Sequence, residues 1–193
     1  MKPLVLASTS PQRSAILEQL GIPFEAVAPA YVEADAPGLA PADLVRAHAE
    51  GKARSAVLDA PGRIVLGVDT AVVLDDKVYG KPRDRSDAAR MLHELSGRTH
   101  KVVSGLCLLG AGEDVVLHEM TDVTFRVLAQ PEVEAYLASG EWAGRAGAYA
   151  IQGLGGRLVE RIDGDYLNVV GLPGALLVTV LERHAPKLLR PRQ

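Results

Sequence analysis

The sequence predicts an α/β fold, close to the α+β class, built around a mixed β-sheet flanked by helices. Strand-like and helix-like segments alternate along the 193 residues, which is typical of helices layered against a sheet. Two long alternating apolar runs, His100–Leu109 and Val115–Leu128, are joined by a glycine-rich turn and therefore predict an antiparallel pair. The hydrophobic content of 48% and the charged content of 23% are ordinary for a globular chain that can bury a full core. We expect residues 1–193 to form a single domain.

The first half of the chain begins with a strand, a helix and a second strand. Lys2–Leu6 is a short apolar strand, and Ser10–Leu20 has the apolar spacing of a helix that ends at a glycine. Ser10 is expected to be the N-cap of this helix, with Pro11 at its first position. The other elements predicted in this half are a strand, a helix and a buried strand, over Phe24–Ala28, Ala42–Leu58 and Arg63–Leu74.

The second half opens with a tight turn and an amphipathic helix. The turn at residues 75–77 returns the chain into a short strand at Val78 and Tyr79. Arg85–Leu95 then places its apolar residues at helical spacing. After the two long strands, the sequence predicts a short helix, a glycine-rich segment, a hairpin tip and a last apolar helix, over Gln130–Ser139, Gly140–Gly156, Asp163-Gly164 and Pro173–His184.

Charge and motif content exclude several classes of protein. A net charge of −3, with no dense Lys/Arg run before residues 187–192, argues against nucleic acid as a partner. The histidines lack zinc-site spacing, and the chain has no P-loop, dinucleotide fingerprint or acyl-transfer serine motif. No segment suits a signal peptide or a membrane span, so we expect a cytoplasmic protein without a membrane partner. The single Cys107 lies in an apolar run and is expected to be a buried thiol.

The turn from the first strand into the first helix carries three hydroxyls and an arginine. It reads Ala-Ser-Thr-Ser-Pro-Gln-Arg-Ser over residues 7–14. The free N–H groups of a first helical turn favour an anion, and Arg13 adds a fork that suits phosphate oxygens. An ordinary capped turn without a ligand has the same local pattern, so both interpretations stay open here.

Asp69 is a carboxylate inside an otherwise apolar predicted strand. Its burial costs free energy unless it is paired or bound to a metal, so it is a candidate general base or magnesium ligand. An aspartate satisfied by backbone N–H groups at a strand bulge is the alternative. Lys81 follows the hairpin toward the same sheet end, and Lys52 lies beside Gly51, where a bulky partner can approach. Each lysine alone reads as a surface charge, but together with Arg13 they would neutralise most of a triphosphate.

The segment at residues 144–153 is glycine-rich and poor in bulky side chains. Glycines permit close approach of the backbone to a ligand, and Gln152 offers a donor and an acceptor that suit the edge of a nucleobase. A tight turn between two lobes explains the composition equally well.

Taken together, these segments resemble the Maf family of nucleoside triphosphate pyrophosphatases over nearly the whole chain. The order and spacing of the motifs are specific, although each is loose alone. The resemblance implies a mixed, bent sheet in two lobes with a central cleft, related to the inosine-triphosphatase-like fold. The matching pieces are LASTSPQRSAIL at 6–17, GVDTAVV at 67–73, GKPRD at 80–84, LSGRTHKV at 95–102, DVTFRVL at 122–128, AGAYAIQGLGG at 146–156 and VVGLP at 169–173.

The resemblance also implies a reaction, hydrolysis of a nucleoside triphosphate to the monophosphate and pyrophosphate, with a divalent metal: Mg²⁺, or alternatively Mn²⁺ or Co²⁺. Asp69 would be the proton acceptor that activates water, or a metal ligand, and Glu33 would help to hold the metal. The residues implied to hold the phosphates are Ser8, Ser10, Arg13, Lys52 and Lys81.

Three positions bear on the choice of base. Thr70 and Gln152 resemble the branch of the family that acts on dTTP and UTP, whereas the 7-methyl-GTP branch has Gln and Glu there. Gln12 departs from both, because the pyrimidine branch usually has Arg and the methyl-GTP branch Trp at this position. A dTTP/UTP pyrophosphatase is therefore the expected function, and a 7-methyl-GTP pyrophosphatase is an alternative.

Two further alternatives come from other classes of protein. Maf proteins are also associated with septum formation and inhibition of cell division, so a nucleotide-binding regulator without turnover is one rival. A nucleic-acid-binding module is a weaker one, which the acidic balance opposes. The expected partner is a small-molecule nucleoside triphosphate, and a homodimer is left open.

Overall fold

The computed structural model describes residues 2–34 and 38–189 and confirms the α/β class. One open, mixed sheet of seven strands runs through it. The strands are β1 (Leu4–Ala7), β2 (Phe24–Val27), β3 (Val65–Leu74), β4 (Lys77–Tyr79), β5 (Thr99–Leu109), β6 (Val115–Phe125) and β7 (Val159–Asp163). The strand order is β2-β1-β3-β5-β6-β7, and β4 pairs with β3 on the edge that β1 also uses. The pairs β1/β2 and β1/β3 are parallel, and the others are antiparallel.

Helices cover both faces of the sheet. They are α1 (Pro11–Gln19), α2 (Pro41–Val57), α3 (Arg85–Leu95), α4 (Gln130–Ala138), α5 (Tyr166–Val170) and α6 (Gly174–His184). Helix α2 packs on one face across β3 and β5. On the opposite face, α1 and α6 cover the first half of β3, and α3 and α4 pack with its second half. The two groups of helices therefore form two lobes that share the same long strands.

Two glycines let α2 approach the sheet closely. A methyl group at Gly67 of β3 would overlap the backbone carbonyl oxygen of Ala49, and one at Gly105 of β5 would overlap that of Val45. Because no side chain stands between helix and sheet at these points, the residues of α2 next to Ala49 lie against the middle of β3.

The middle of β3 is where its burial is interrupted. The strand is buried from Val65 to Val68 and from Ala71 to Leu74, whereas Asp69 and Thr70 are partly exposed. On the shared edge, β1 pairs only as far as Gly67 and β4 begins only at Val72. Among the described residues, 68–71 thus have a partner strand on the β5 side alone, which opens a gap between the lobes.

One expectation about local structure was wrong, and the N-cap expectation was confirmed for its position alone. Asp163-Gly164 does not turn a hairpin, because the Asp165 carboxylate accepts a hydrogen bond from the Leu167 N–H and starts α5 instead. Ser10 stands at the N-cap position of α1, but its side chain makes no capping bond. Pro11 does occupy the first helical position. Within the described ranges, no helix combines the length and apolar character needed to cross a membrane.

Candidate functional site

A cleft of about 450 Å³ opens at the gap in the edge of β3. The turn between β1 and α1 forms one part of its wall, and the glycine-rich segment after α4 forms another. This is the carboxyl end of the parallel strand β1, the position where open α/β sheets bind ligands. Nine of the predicted site residues line the cleft: Ser8, Ser10, Gln12, Arg13, Glu33, Lys52, Thr70, Lys81 and Gln152.

Asp69 belongs to the same site through its bond to Lys52. The Lys52 Nζ donates to the Asp69 Oδ1 at 2.6 Å and lies 2.5 Å from the Glu33 Oε1. The Lys52 side chain is 9% exposed and that of Asp69 13%, so this ion pair is largely enclosed by protein. Close packing of α2 on Gly67 puts Lys52 within reach of Asp69. The carboxylate is paired as expected, and the alternative of backbone satisfaction at a bulge is not needed to explain it.

Glu33 is half-exposed, and the cations around it stabilise its ionised carboxylate. Burial by itself would raise the pKa of its carboxyl group, but the hydrogen bond and charge of Lys52 outweigh that effect. The charges of His48 and Lys81 act in the same direction, so the pKa lies below its usual value. Glu33 is therefore an ionised carboxylate at neutral pH, with oxygen atoms at the rim of the cleft.

Arg13 is fixed by three groups, two of which are distant from it in the sequence. Its Nε donates to the Gly171 carbonyl at 3.0 Å, and its Nη atoms donate to the Ser8 Oγ at 3.1 Å and the Thr70 Oγ1 at 3.4 Å. Burial lowers the pKa of Arg13, while the charges of Asp69 and Glu33 raise it. An arginine starts from so high a pKa that it remains a cation. The guanidinium is thus a pre-oriented positive fork.

Thr70 supports Arg13 from the strand. Besides meeting the Arg13 guanidinium, its Oγ1 lies 2.9 Å from the buried Ser104 hydroxyl and 3.3 Å from the Gly171 carbonyl. Side chains alternate along a strand, so Thr70 and Asp69 project from opposite faces of β3. Both faces reach the cleft because β3 lacks an edge partner here.

The first turn of α1 is left without a side-chain cap. The Ser10 hydroxyl donates to the Gln12 Oε1 at 3.1 Å, and the Ser10 N–H donates to the Ser8 Oγ at 3.2 Å. The N–H groups that a capping oxygen would satisfy remain available at the wall of the cleft, which suits an anion.

The structure also brings residues into the cleft that the sequence analysis missed. Tyr31 lies over Gly51, where a methyl group would overlap its ring, and its hydroxyl is 3.0 Å from the His48 Nδ1. The small residue at position 51 was the available signal, since it predicted a bulky neighbour. Arg145 and Tyr149 line the cleft from the glycine-rich segment, and nothing in the sequence singled them out.

Known proteins related in sequence show the family of this chain. A family model described as Maf-like protein matches residues 3–184. The chain belongs to the Maf family. The resemblance drawn from the motifs is confirmed by this match, which spans both lobes and every predicted site residue.

The Maf-family chain is also similar to curated proteins named dTTP/UTP pyrophosphatase. The protein from Symbiobacterium thermophilum is 47% identical over 173 residues, which cover 90% of this chain and 89% of that one. The protein from Nitratidesulfovibrio vulgaris is 46% identical, with 94% and 87% covered. The protein from Gloeobacter violaceus is 46% identical, with 92% and 94% covered.

Proposed function

We propose that this Maf-family chain hydrolyses dTTP and UTP, and modified pyrimidine triphosphates, to the nucleoside monophosphate and pyrophosphate. The observation that carries the proposal is one cleft that is lined by Arg13, Lys52 and Lys81 and in which Lys52 pairs with Asp69. A triphosphate carries about four negative charges and needs such a concentration of cations. The names of the relatives, dTTP/UTP pyrophosphatase, support the choice of reaction and substrate.

Asp69 and Glu33 are the residues that would hold a divalent cation. The described part of the chain contains no cluster of three or more His, Cys, Asp or Glu suited to a metal. Two carboxylates nevertheless fit Mg²⁺, which commonly takes one or two protein carboxylates and completes its shell with water and substrate phosphates. When bound, Mg²⁺, or Mn²⁺ or Co²⁺ in its place, would offset charge that develops on the phosphates.

The remaining chemistry is assigned to side chains. Asp69 accepts the proton of the water that attacks the α-phosphorus, while Lys52 holds that carboxylate in place and neutralises phosphate charge. Arg13 and Lys81 fix the phosphate chain, and Ser8 and Ser10 lie with the free N–H groups of the first turn of α1. Such positioning and charge stabilisation supply most of the catalysis in phosphoryl-type reactions.

The base is assigned to the other end of the cleft. The Gln152 amide, exposed on the cleft wall, offers a donor and an acceptor that match the imide edge of uracil or thymine. Thr70 acts on specificity indirectly in this proposal, because its hydroxyl is engaged by Arg13 and Ser104. Gln12 is engaged by Ser10 and so limits how that hydroxyl meets the substrate.

The test is a screen of UTP, dTTP and 7-methyl-GTP with Mg²⁺, reading pyrophosphate and orthophosphate separately. We expect pyrophosphate from UTP and dTTP, and its loss in Asp69→Asn. Asp122→Asn is the matched control, because Asp122 also pairs with a lysine, Lys101 at 2.8 Å, on the exposed surface of β5 and β6. Release of orthophosphate alone would refute the bond cleavage, and nucleotide binding without any product would favour the regulator.

A further inference from the structure

Arg145 is a cation at the cleft to which the proposed function gives no role. It lines the cleft and is partly buried. Its Nε is buried without a hydrogen-bond partner, and among residues 2–34 and 38–189 no carboxylate forms an ion pair with it. A buried guanidinium N–H without a hydrogen-bond partner costs free energy unless a ligand supplies an acceptor. The cost points to an anionic partner that enters the cleft.

The backbone around Arg145 is held firmly in place. The Arg145 N–H donates to the Trp142 carbonyl at 3.2 Å, and the Arg145 carbonyl accepts from the Ala148 N–H at 3.0 Å. Gly147, at a φ of 66°, lies against Val72 so closely that a Cβ would stand 2.8 Å from the Val72 Cγ2. The turn is therefore built onto β3 and presents Arg145 from a fixed position.

The same turn is tied to the segment that carries Lys81. The Gly147 N–H donates to the Gly80 carbonyl at 3.2 Å, one residue before Lys81. Lys81 and Arg145 therefore belong to one wall of the cleft. Arg13 is anchored by other elements, on Ser8 in the turn after β1 and on Gly171.

The charge balance of the cleft distinguishes these cations. Lys52 is shared by Asp69 and Glu33, so its charge is more than offset before any ligand binds. Arg13, Lys81 and Arg145 line the cleft without an ion pair in the described part of the molecule. Two of these three, Lys81 and Arg145, share the wall joined by the hydrogen bond from Gly147 to Gly80, so this wall presents two cations to a polyanionic group.

We propose that Arg145 binds the β- and γ-phosphates of the substrate and holds the leaving pyrophosphate together with Lys81. This rests on the proposed function, since it names the group that the cleft must retain while the α-phosphorus is attacked. The planar guanidinium meets phosphate oxygens in pairs, which a lysine in its place cannot do. Arg145 then interacts with charge that grows on pyrophosphate as the bond breaks.

The experiment is calorimetric binding of magnesium pyrophosphate and of UMP to the full chain. Arg145→Ala is expected to weaken pyrophosphate binding at least about 10-fold, as for loss of a charged hydrogen bond. Arg145→Lys should give an intermediate loss, and UMP binding should stay within about 2-fold. Arg157→Ala is the matched control, because Arg157 directly follows the glycine-rich segment Gly140–Gly156, is exposed and does not line the cleft.

Unchanged pyrophosphate affinity in Arg145→Ala would overturn the proposal, as would equal losses for pyrophosphate and UMP. If Arg145→Ala fails to fold in a thermal unfolding scan, Arg145→Lys carries the same comparison. The binding measurement needs no turnover, so it tests the role of Arg145 separately from the proposed hydrolysis. If wild type hydrolyses UTP and Arg145→Ala keeps its pyrophosphate affinity, only the role of Arg145 is refuted. If wild type does not hydrolyse UTP, the proposed function is refuted.

Discussion

At the scale of single residues, the cleft depends on the sharing of Lys52 by two carboxylates. The Lys52 ammonium lies within 2.6 Å of Asp69 and 2.5 Å of Glu33, and its side chain is mostly shielded from water. Removing one partner from an enclosed ionic group leaves the others uncompensated. Lys52 is therefore expected to affect both the charge of the cleft and the position of the Asp69 carboxylate.

The first prediction concerns Lys52→Gln. We expect kcat/KM for UTP to fall about 100-fold or more, because the substrate loses a cation and Asp69 loses its anchor. Lys101→Gln, which breaks an exposed lysine–aspartate pair, is the control and should stay within about 2-fold, as surface pairs contribute little. Equal effects of the two substitutions in steady-state kinetics would contradict the assigned role.

His100 is a second residue whose environment makes a measurable prediction. It is 1% exposed, and its Nε2 lies 2.9 Å from the Tyr149 hydroxyl beneath the cleft. Burial lowers the pKa of His100 to about 4, although the charge of Asp122 acts in the opposite direction. The His100 imidazole is thus neutral in the folded protein, whereas in the unfolded chain it becomes protonated below its ordinary pKa of about 6.5.

The free energy of unfolding should therefore fall as the pH falls through this window. Between pH 7 and pH 5, His100 alone is expected to remove about 2 kcal/mol, because the unfolded chain binds the extra proton. Urea unfolding of wild type and His100→Gln at both pH values isolates this contribution, which the variant should lack. An identical pH dependence in both proteins would show that His100 is not buried in its neutral form.

At the scale of elements, the close contact between α2 and β3 aligns the site. In Gly67→Ala the new methyl group would overlap the Ala49 carbonyl oxygen. We expect the free energy of unfolding to fall by about 3 kcal/mol, since a dense interior tolerates little overpacking. Gly80→Ala is the control, because a methyl group there meets no other atom within 4 Å. Chemical denaturation measures both, and a Gly67→Ala protein as stable as Gly80→Ala would contradict the packing.

The same elements show what the sequence could predict. Asp69 was singled out because a charge interrupts an apolar strand, and Arg13 because an arginine follows a strand-to-helix turn. The gap at residues 68–71 could not be predicted from the sequence, since it depends on where β1 ends and β4 begins on the shared edge of β3. The contact of Arg13 with Gly171 joins residues 158 positions apart, and no local pattern reports it.

The error at Asp163-Gly164 has a local cause. Asp-Gly is a strong turn signal, but here it precedes Asp165, whose carboxylate caps α5. The capping signal and the turn signal compete within three residues, and the capped helix forms. Cys107 was predicted correctly from its apolar run, since it is fully buried and burial raises the pKa of its thiol to about 12.

At the scale of the whole molecule, the two lobes share β3 and β5. Leu66 and Leu106 pack in the core under α1 and α6, whereas Val72 and Val102, on the same strands, pack in the core under α3 and α4. Neither core can open without exposing strands that the other also buries. The lobes are therefore expected to unfold together.

Differential scanning calorimetry tests this cooperativity. We expect one transition, with the calorimetric and van 't Hoff enthalpies equal. Leu92→Ala in one core and Leu177→Ala in the other should each destabilise that same transition by about 2–5 kcal/mol. Two resolved transitions, each moved by only one of the substitutions, would mean that the lobes are independent.

The central claim is that water, with Asp69 as its proton acceptor, attacks the α-phosphorus in the gap beside β3. Hydrolysis of UTP in water labelled with the heavy oxygen isotope tests this most directly, with mass spectrometry of both products. The account predicts one labelled oxygen in UMP and none in pyrophosphate. Label in pyrophosphate would mean attack at the β-phosphorus and would contradict it.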